Sequence, residues 1–151
     1  MYKNILIYID LEKDNEQLIS KAISVARVYQ SKASLVHVYP CIDSPAGAGF
    51  PVAVQFDPNI YIPFEIDDKE QKMRDLVSCA KFEFEHQMIV SGRVSDKIPQ
   101  LINKFNFDLL IHSHYSGLFD FLFSTASKLL NHVSCDRLVV PVQPKKSEPT
   151  F

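Results

Sequence analysis

Residues 112–117, His-Ser-His-Tyr-Ser-Gly, are the part of this chain whose side chains could do chemistry. They follow an apolar run, and Asp10 follows a similar run near the start of the chain. His112 and His114 are two residues apart and so point to one side of a strand, as a pair of zinc ligands would. A third ligand would have to come from histidines at distant positions with no ligand-like spacing: His37, His86 and His132. We therefore expect no metal site and interpret His114 as a polar residue packed beside Asp10.

Nucleophilic catalysis has as little support as metal binding. Three serines of the region, Ser113, Ser116 and Ser124, have no base beside them in the sequence. Motifs for a nucleophile elbow, a P-loop, paired carboxylates or HExxH zinc binding are absent. The sequence therefore favours a binding protein over an enzyme, and it leaves weak ATPase or phosphotransfer activity open.

Composition narrows the class of protein further. The net charge is −2, and the charged residues are scattered, which argues against a nucleic-acid surface. No run approaches the ~20 apolar residues that span a bilayer. The cysteines are odd in number and in no CxxC arrangement, so we expect reduced thiols: Cys41, Cys79 and Cys135. We expect a soluble, cytoplasmic protein that binds neither nucleic acid nor membranes.

The elements that must position these residues alternate between strands and helices. Apolar runs predict strands at 4–9, 33–39, 87–90, 107–111 and 138–142. Helix caps are expected at Asp14 or Asn15, at Asp67 or Asp68, and at Ser95 or Asp96. The second helix should carry an apolar stripe from Met73 to Phe84, the third should hold Pro99 in its first turn, and the last should run from Leu122 to Val133. This alternation predicts an α/β fold, with one open, mostly parallel five-stranded sheet and helices on both faces, Rossmann-like in type.

The chain length and the apolar fraction of 46% fit a single core. We expect one domain over residues 1–143, with an irregular proline-rich loop at 40–64 and a disordered tail at 144–151. Such a long loop is either functional or mobile. A reversal of strand order would open a crevice at the carboxyl ends of the first and fourth strands, where Asp10 would meet the loop at 112–117.

Three parts of the chain resemble the universal stress protein superfamily. They are YKNILIYIDLE at 2–12, ASLVHVY at 33–39, and FDLLIHSHY at 107–115 followed by LNHVSCDRLVVPV at 130–142. The resemblance covers most of residues 2–143 and fails mainly at 40–64. It implies the Rossmann-like fold of that superfamily.

The superfamily contains two broad kinds of member. One binds ATP through the motif G-x2-G-x9-G-[S/T] after the fourth strand, whereas the kind typified by universal stress protein A lacks this motif. With Asp108 as the anchor, Ser113 and Ser116 stand at the first two glycines, and Ser124-Thr125 follows Ser116 after only seven residues. Serine adds a Cβ and removes the freedom that lets a glycine backbone approach a phosphate. The chain therefore resembles the protein A branch.

That branch implies a non-enzymatic stress-response adaptor that forms a homodimer, needs no cofactor and acts on protein partners that the sequence does not name. The alternative is an ATP-binding member whose degenerate serine loop acts as a nucleotide-dependent switch. Its nucleotide would then be held by residues that match the family's site: Asp10, Val38, Ser113, His114, Ser116, Ser124 and Thr125. Asp10 is otherwise an acid that caps a loop or a strand end.

The last strand has its own implication. In this family it commonly pairs antiparallel with the same strand of a second copy. Here its sequence is apolar, and Pro141 restricts it to a sheet edge. We expect a dimer through the strand residues Leu138, Val139, Val140, Pro141 and Val142. The alternative is a monomer in which Pro141 prevents further pairing at this edge.

The apolar run at 118–123 exceeds one helical face and offers a further partner contact.

Overall fold

The computed structural model describes residues 1–12, 14–39, 65–114 and 133–141. These residues form strands and helices in the order β1 (Asn4–Ile9), α1 (Glu16–Tyr29), β2 (Lys32–Tyr39), α2 (Glu65–Ala80), β3 (Gln87–Ser91), α3 (Val94–Phe105), β4 (Leu109–His114) and β5 (Asp136–Pro141). The proline-rich loop at 40–64, the expected last helix, the apolar run at 118–123 and the tail lie outside the described residues.

The five strands form one sheet in the order β3-β2-β1-β4-β5. Every pairing between neighbours is parallel, which confirms the predicted α/β class. Chain order reverses around β1, which has β2 on one side and β4 on the other. The switch point therefore lies between β1 and β4, as predicted from the sequence.

Helices cover both faces of the sheet because the side chains of each strand alternate between two cores. Ile5, Ile7 and Ile9 of β1 pack with residues of α1 and α2 on one face. Leu6 of β1 packs with residues of α3 on the other face. A central parallel strand is buried on both sides, which is why β1 reads as an almost continuous apolar run.

One carboxylate ties the start of the chain to the loop before β4. Asp108 accepts hydrogen bonds from the backbone N–H groups of Lys3, at 2.8 Å, and Asn4, at 3.1 Å. The Asn4 side-chain amide donates to the Phe105 carbonyl at 2.9 Å. These contacts set the alignment of β1 with β4, and hence of the residues at the opposite, carboxyl edge.

Removal of this carboxylate should destabilise the protein. Asp108→Ala leaves two backbone donors without their acceptor, so we expect the free energy of unfolding to fall by about 2 kcal/mol. Urea denaturation followed by circular dichroism measures the change. Asp75→Ala, on an exposed position of α2, is the matched control and should change stability by less than about 0.5 kcal/mol. Equal losses in the two variants would contradict the assignment.

Two helix starts differ from the prediction. α2 begins at Glu65, before the expected caps Asp67 and Asp68, and ends at Ala80. Lys81 has φ of 49°, a left-handed conformation that ends a helix. Phe84 is buried, but it lies beyond the helix, so its helical spacing from Ala80 was misleading.

α3 begins two or three residues earlier than predicted, at Val94, because its N-cap is Arg93 instead of Ser95 or Asp96. Ser95 and Asp96 lie inside the first turn instead of capping it, and Asp96 places its charge where the helix dipole favours an acid. Pro99 consequently falls in the second turn, where its missing N–H removes one helical hydrogen bond.

β4 also differs from its prediction, because it spans Leu109–His114 instead of 107–111. Ser113 and His114 belong to the strand since they pair with Val140 and Pro141 of β5. The segment 112–117 therefore begins as strand and not as loop. β5 starts two residues before the predicted Leu138 and lies at an edge of the described sheet.

Candidate functional site

The candidate site lies at the carboxyl edge of the sheet, around the β1/β4 switch point. Tyr8 pairs with His112 in the parallel register of the two strands. Asp10 and His114 each follow their paired residue by two positions, so their backbones lie at the same edge. Parallel α/β sheets bind ligands at this edge.

Asp10 shapes the turn that leaves β1. Its Oδ1 accepts a hydrogen bond from the Glu12 N–H at 3.0 Å, a local turn typical of aspartate. Its carbonyl oxygen accepts from the Asn15 side-chain amide at 2.7 Å. Asp10 therefore has a structural role in the β1–α1 turn whether or not a ligand contacts it.

A buried histidine supports the same turn from β2. His37 pairs with Ile9 in the register of β1 and β2, and its Nδ1 lies 3.1 Å from the Leu11 nitrogen and 3.2 Å from the Ile9 oxygen. Burial lowers the pKa of His37, while the hydrogen bond to the Ile9 carbonyl opposes this shift. In the sequence His37 stood out only as a remote candidate for a zinc ligand. The signal for its structural role is a histidine inside an otherwise apolar strand.

An ionic cluster joins the β1–α1 turn to α2. Glu12 contacts Lys69 and Lys72, each at 3.1 Å, and Lys72 also contacts Asp68 at 3.1 Å. Hydrogen bonds from Lys72 and Lys69 lower the pKa of Glu12, and the bond to Glu12 raises the pKa of Lys72. The Lys69 ammonium also lies 5.9 Å from the centre of the Tyr39 ring. The cluster holds α2 beside the turn, although its exposure makes its contribution to stability small.

Two residues at this edge belong to the core on the α3 face. Val38 is buried and pairs with Val90 of β3. Its side chain packs with the α3 core, so a ligand at this position could reach only its backbone. Tyr8 packs against the same core, and its burial, followed by the charge of Asp10, raises its pKa well above the usual range. The Tyr8 phenol is therefore neutral at physiological pH.

The described part of the chain gives little support for a metal site or for a reactive cysteine. Within it, no group of three His, Cys, Asp or Glu residues could hold a metal ion. Cys79 is exposed and Cys135 partly buried, both as free thiols, and Cys41 lies outside the described residues. Burial first, and then Asp136, raises the pKa of Cys135 to about 11, so its thiol is a poor nucleophile.

None of the described helices, α1 to α3, is long and apolar enough to cross a bilayer.

The outer edge of β5 is apolar and accessible. Leu138 and Val139 are 37% and 38% exposed. Val140 is only 2% exposed and packs into the core on the α1/α2 face, so only its backbone is available at the edge. Val142 lies outside the described residues.

Comparison with known proteins decides the family. The universal stress protein family model matches residues 1–141. The chain belongs to this family. Among curated relatives, universal stress protein A of Escherichia coli K12 is 28% identical over 142 residues, which cover 94% of this chain and 96% of the relative. Universal stress protein A of Salmonella typhi is 31% identical over 144 residues, with the same coverages of 94% and 96%.

Solved structures of universal stress proteins share the fold. One, determined in complex with cAMP, superposes with a TM-score of 0.64 at 16% identity and covers 93% of this chain and 97% of its own. Another, from Archaeoglobus fulgidus in complex with dAMP, gives a TM-score of 0.61 at 15% identity and covers 91% of this chain and 97% of its own. At these identities the likeness establishes the α/β fold.

Only some of the residues expected to contact a nucleotide in this universal stress protein lie within its described part. Asp10, Val38 and Ser113 lie at the carboxyl ends of neighbouring strands, and the His114 backbone ends β4. Ser116, Ser124 and Thr125 lie outside the described residues.

Proposed function

We propose that this universal stress protein is a cytoplasmic, non-enzymatic homodimer of the protein A type, which acts in the stress response as an adaptor that binds other proteins. The observation that carries the proposal is the exposed apolar edge of β5. Leu138 and Val139 lie on opposite faces of the strand because successive side chains alternate, and both are more than one-third exposed.

Pairing with a second copy would cover this edge on both faces. A two-fold axis perpendicular to the sheet makes the two β5 strands antiparallel and joins their outer backbone donors and acceptors, which face no other strand within the described residues. It would also remove an apolar strand edge that otherwise promotes aggregation. Pro141 is the last residue of β5, so it leaves the preceding backbone N–H groups available for this pairing.

The absence of a glycine-rich phosphate loop supports the protein A type. Ser113 stands where the motif requires its first glycine, and it remains within β4, paired with Val140. Its Cβ restricts both the backbone conformation and the approach of a phosphate. The curated relatives with 28% and 31% identity both carry the name universal stress protein A.

Titration with ATP tests the cofactor part of the proposal. In isothermal calorimetry with magnesium, we expect no binding tighter than roughly 10 μM, which corresponds to about −7 kcal/mol. Small molecules extracted from freshly purified protein should contain no stoichiometric nucleotide. Tighter binding, or a co-purified nucleotide, would overturn the protein A assignment and leave the dimer proposal standing.

The second candidate is a nucleotide-dependent switch built on the serine-containing loop. The position of Asp10 at the switch-point edge favours it, together with the likeness of this fold to a universal stress protein that binds cAMP. This candidate predicts measurable ATP affinity that falls on Asp10→Ala. Unchanged heats of titration in the wild-type protein and Asp10→Ala, both at the level of buffer, would exclude it.

A further inference from the structure

The imidazole of His37 is enclosed by the core at the top of β2. It lies between Ile9 of β1 and Ile89 of β3 in the sheet register, on the face covered by α1 and α2. The residue is only 4% exposed, and within the described part of the chain its Nε2 has no hydrogen-bond partner. A buried polar atom without a partner is rare, because it is destabilising.

The other ring nitrogen faces two backbone groups that make opposite demands. Leu11 N–H, at 3.1 Å, can only donate to Nδ1, which requires a lone pair on that nitrogen. The Ile9 carbonyl, at 3.2 Å, can only accept from Nδ1, which requires a proton there. Since one nitrogen cannot meet both demands at once, the proton on His37 decides whether the Leu11 N–H keeps its hydrogen bond.

The charged groups that face this ring come from the turn and from α2. Lys69 of α2 disfavours a positive imidazole, whereas Asp10 and Glu12 of the turn favour it. Lys69 itself is bound to Glu12 and lies over Tyr39, which shares the face of His37 on β2. Ile89 of β3 contributes no charge. A protonated ring is therefore attracted by the carboxylates of Asp10 and Glu12. Its Nδ1–H would at the same time repel the Leu11 N–H of the same turn.

We propose that His37 is a pH-sensitive switch for the β1–α1 turn. When the ring is neutral with its proton on Nε2, the Leu11 N–H donates to Nδ1 and the turn is closed. When the ring is protonated, Nδ1–H donates to the Ile9 carbonyl, the Leu11 hydrogen bond is lost, and residues 10–12 move away from β2. The carboxyl edge of the sheet, with Asp10 and Glu12, then changes shape on acidification. This inference stands independently of the dimer and of the absence of ATP.

The direction of the pH effect follows from burial. The pKa of His37 in the folded protein is lowered from its usual value of 6.5, so the unfolded chain binds the proton more readily. The stabilisation contributed by neutral His37 is therefore complete above pH 6.5 and is lost as pH falls from there through the folded pKa. The closed turn is the form expected at neutral pH.

NMR of the full chain tests the switch directly. Imidazole nitrogen shifts should report a neutral His37 protonated at Nε2 at about pH 7.5 and its titration below the usual histidine range. Amide hydrogen exchange, corrected for its intrinsic pH dependence, should show protection of Leu11 falling about tenfold between about pH 7.5 and the pH at which the ring becomes protonated, because one buried hydrogen bond is lost.

Matched variants separate the switch from general acid destabilisation. His37→Asn places a non-titrating acceptor near the Nδ1 position, so Leu11 protection should become independent of pH. His86→Asn changes an exposed histidine and should retain the wild-type response. The proposal is overturned if His37 stays neutral until the sheet unfolds, or if Leu11 protection is unchanged while the ring titrates. The same pH response in His37→Asn would also overturn it, and if that variant does not fold, the two wild-type measurements decide.

Discussion

Changing both Leu138 and Val139 to lysine should convert the proposed dimer into a monomer. In an antiparallel pair of β5 strands, two lysines on each face of the joined sheet would replace the apolar side chains of the two copies. Burial of each apolar side chain contributes about 1.5–3 kcal/mol when complete, and like charges facing each other oppose pairing further. We therefore expect the dissociation constant to rise by at least about 100-fold.

Sedimentation velocity over a micromolar concentration series measures this change. Val28→Lys is the matched control, because Val28 is apolar and 77% exposed but belongs to α1 and not to β5. The control should remain dimeric, and circular dichroism should show the same secondary structure in all three proteins. A wild-type protein that sediments as a monomer, or a double-lysine variant that sediments as a dimer, would refute the β5 interface.

Ile111→Ala should be among the most destabilising single substitutions in the described sheet. Ile111 is 0% exposed and lies in β4 between Ile7 of β1 and Leu138 of β5. Loss of three side-chain carbons leaves a cavity in the core between the sheet and the α1/α2 layer, so we expect the free energy of unfolding to fall by about 3–4 kcal/mol. Ile111→Val should lower it by only about 1 kcal/mol.

Chemical denaturation of the three proteins at equal concentration measures the series. Equal concentrations matter because a dimer couples apparent stability to mass action. The graded order of wild type, valine and alanine is the expected signature of a lost packing contact. A loss below about 1 kcal/mol for Ile111→Ala would contradict the full burial of this side chain between the sheet and its helices.

The sequence predicted the sheet better than it predicted the site. β1 was predicted residue for residue, because a strand buried on both faces is an unbroken apolar run. β4 was placed too early, since His112, Ser113 and His114 are polar and look like a loop. Their strand conformation depends on pairing with β1 and β5 across the sheet, which local composition does not reveal.

The contacts that build the β1–α1 turn were missed for a related reason. Leu11 and His37 are 26 residues apart, and Glu12 is 57 residues from Lys69. Nothing in residue type or spacing indicates that these particular side chains meet. The place of Asp10 at the carboxyl edge of the sheet was predicted, because it depends only on a position after a strand, a rule that applies to parallel sheets in general.

The central position of β1 has a consequence for synthesis of the protein on the ribosome. Among the described strands β1 is made first, and its partner β2 follows after α1, so one side of β1 can pair early. Its other side must wait for β4, because 104 residues separate Asn4 from Asp108, the carboxylate that fixes this alignment. During that interval the nascent chain presents the most apolar strand of its sheet with one edge open, a form prone to association with other chains. Emergence of β4 closes that edge, so we expect the risk of such association to fall at this point.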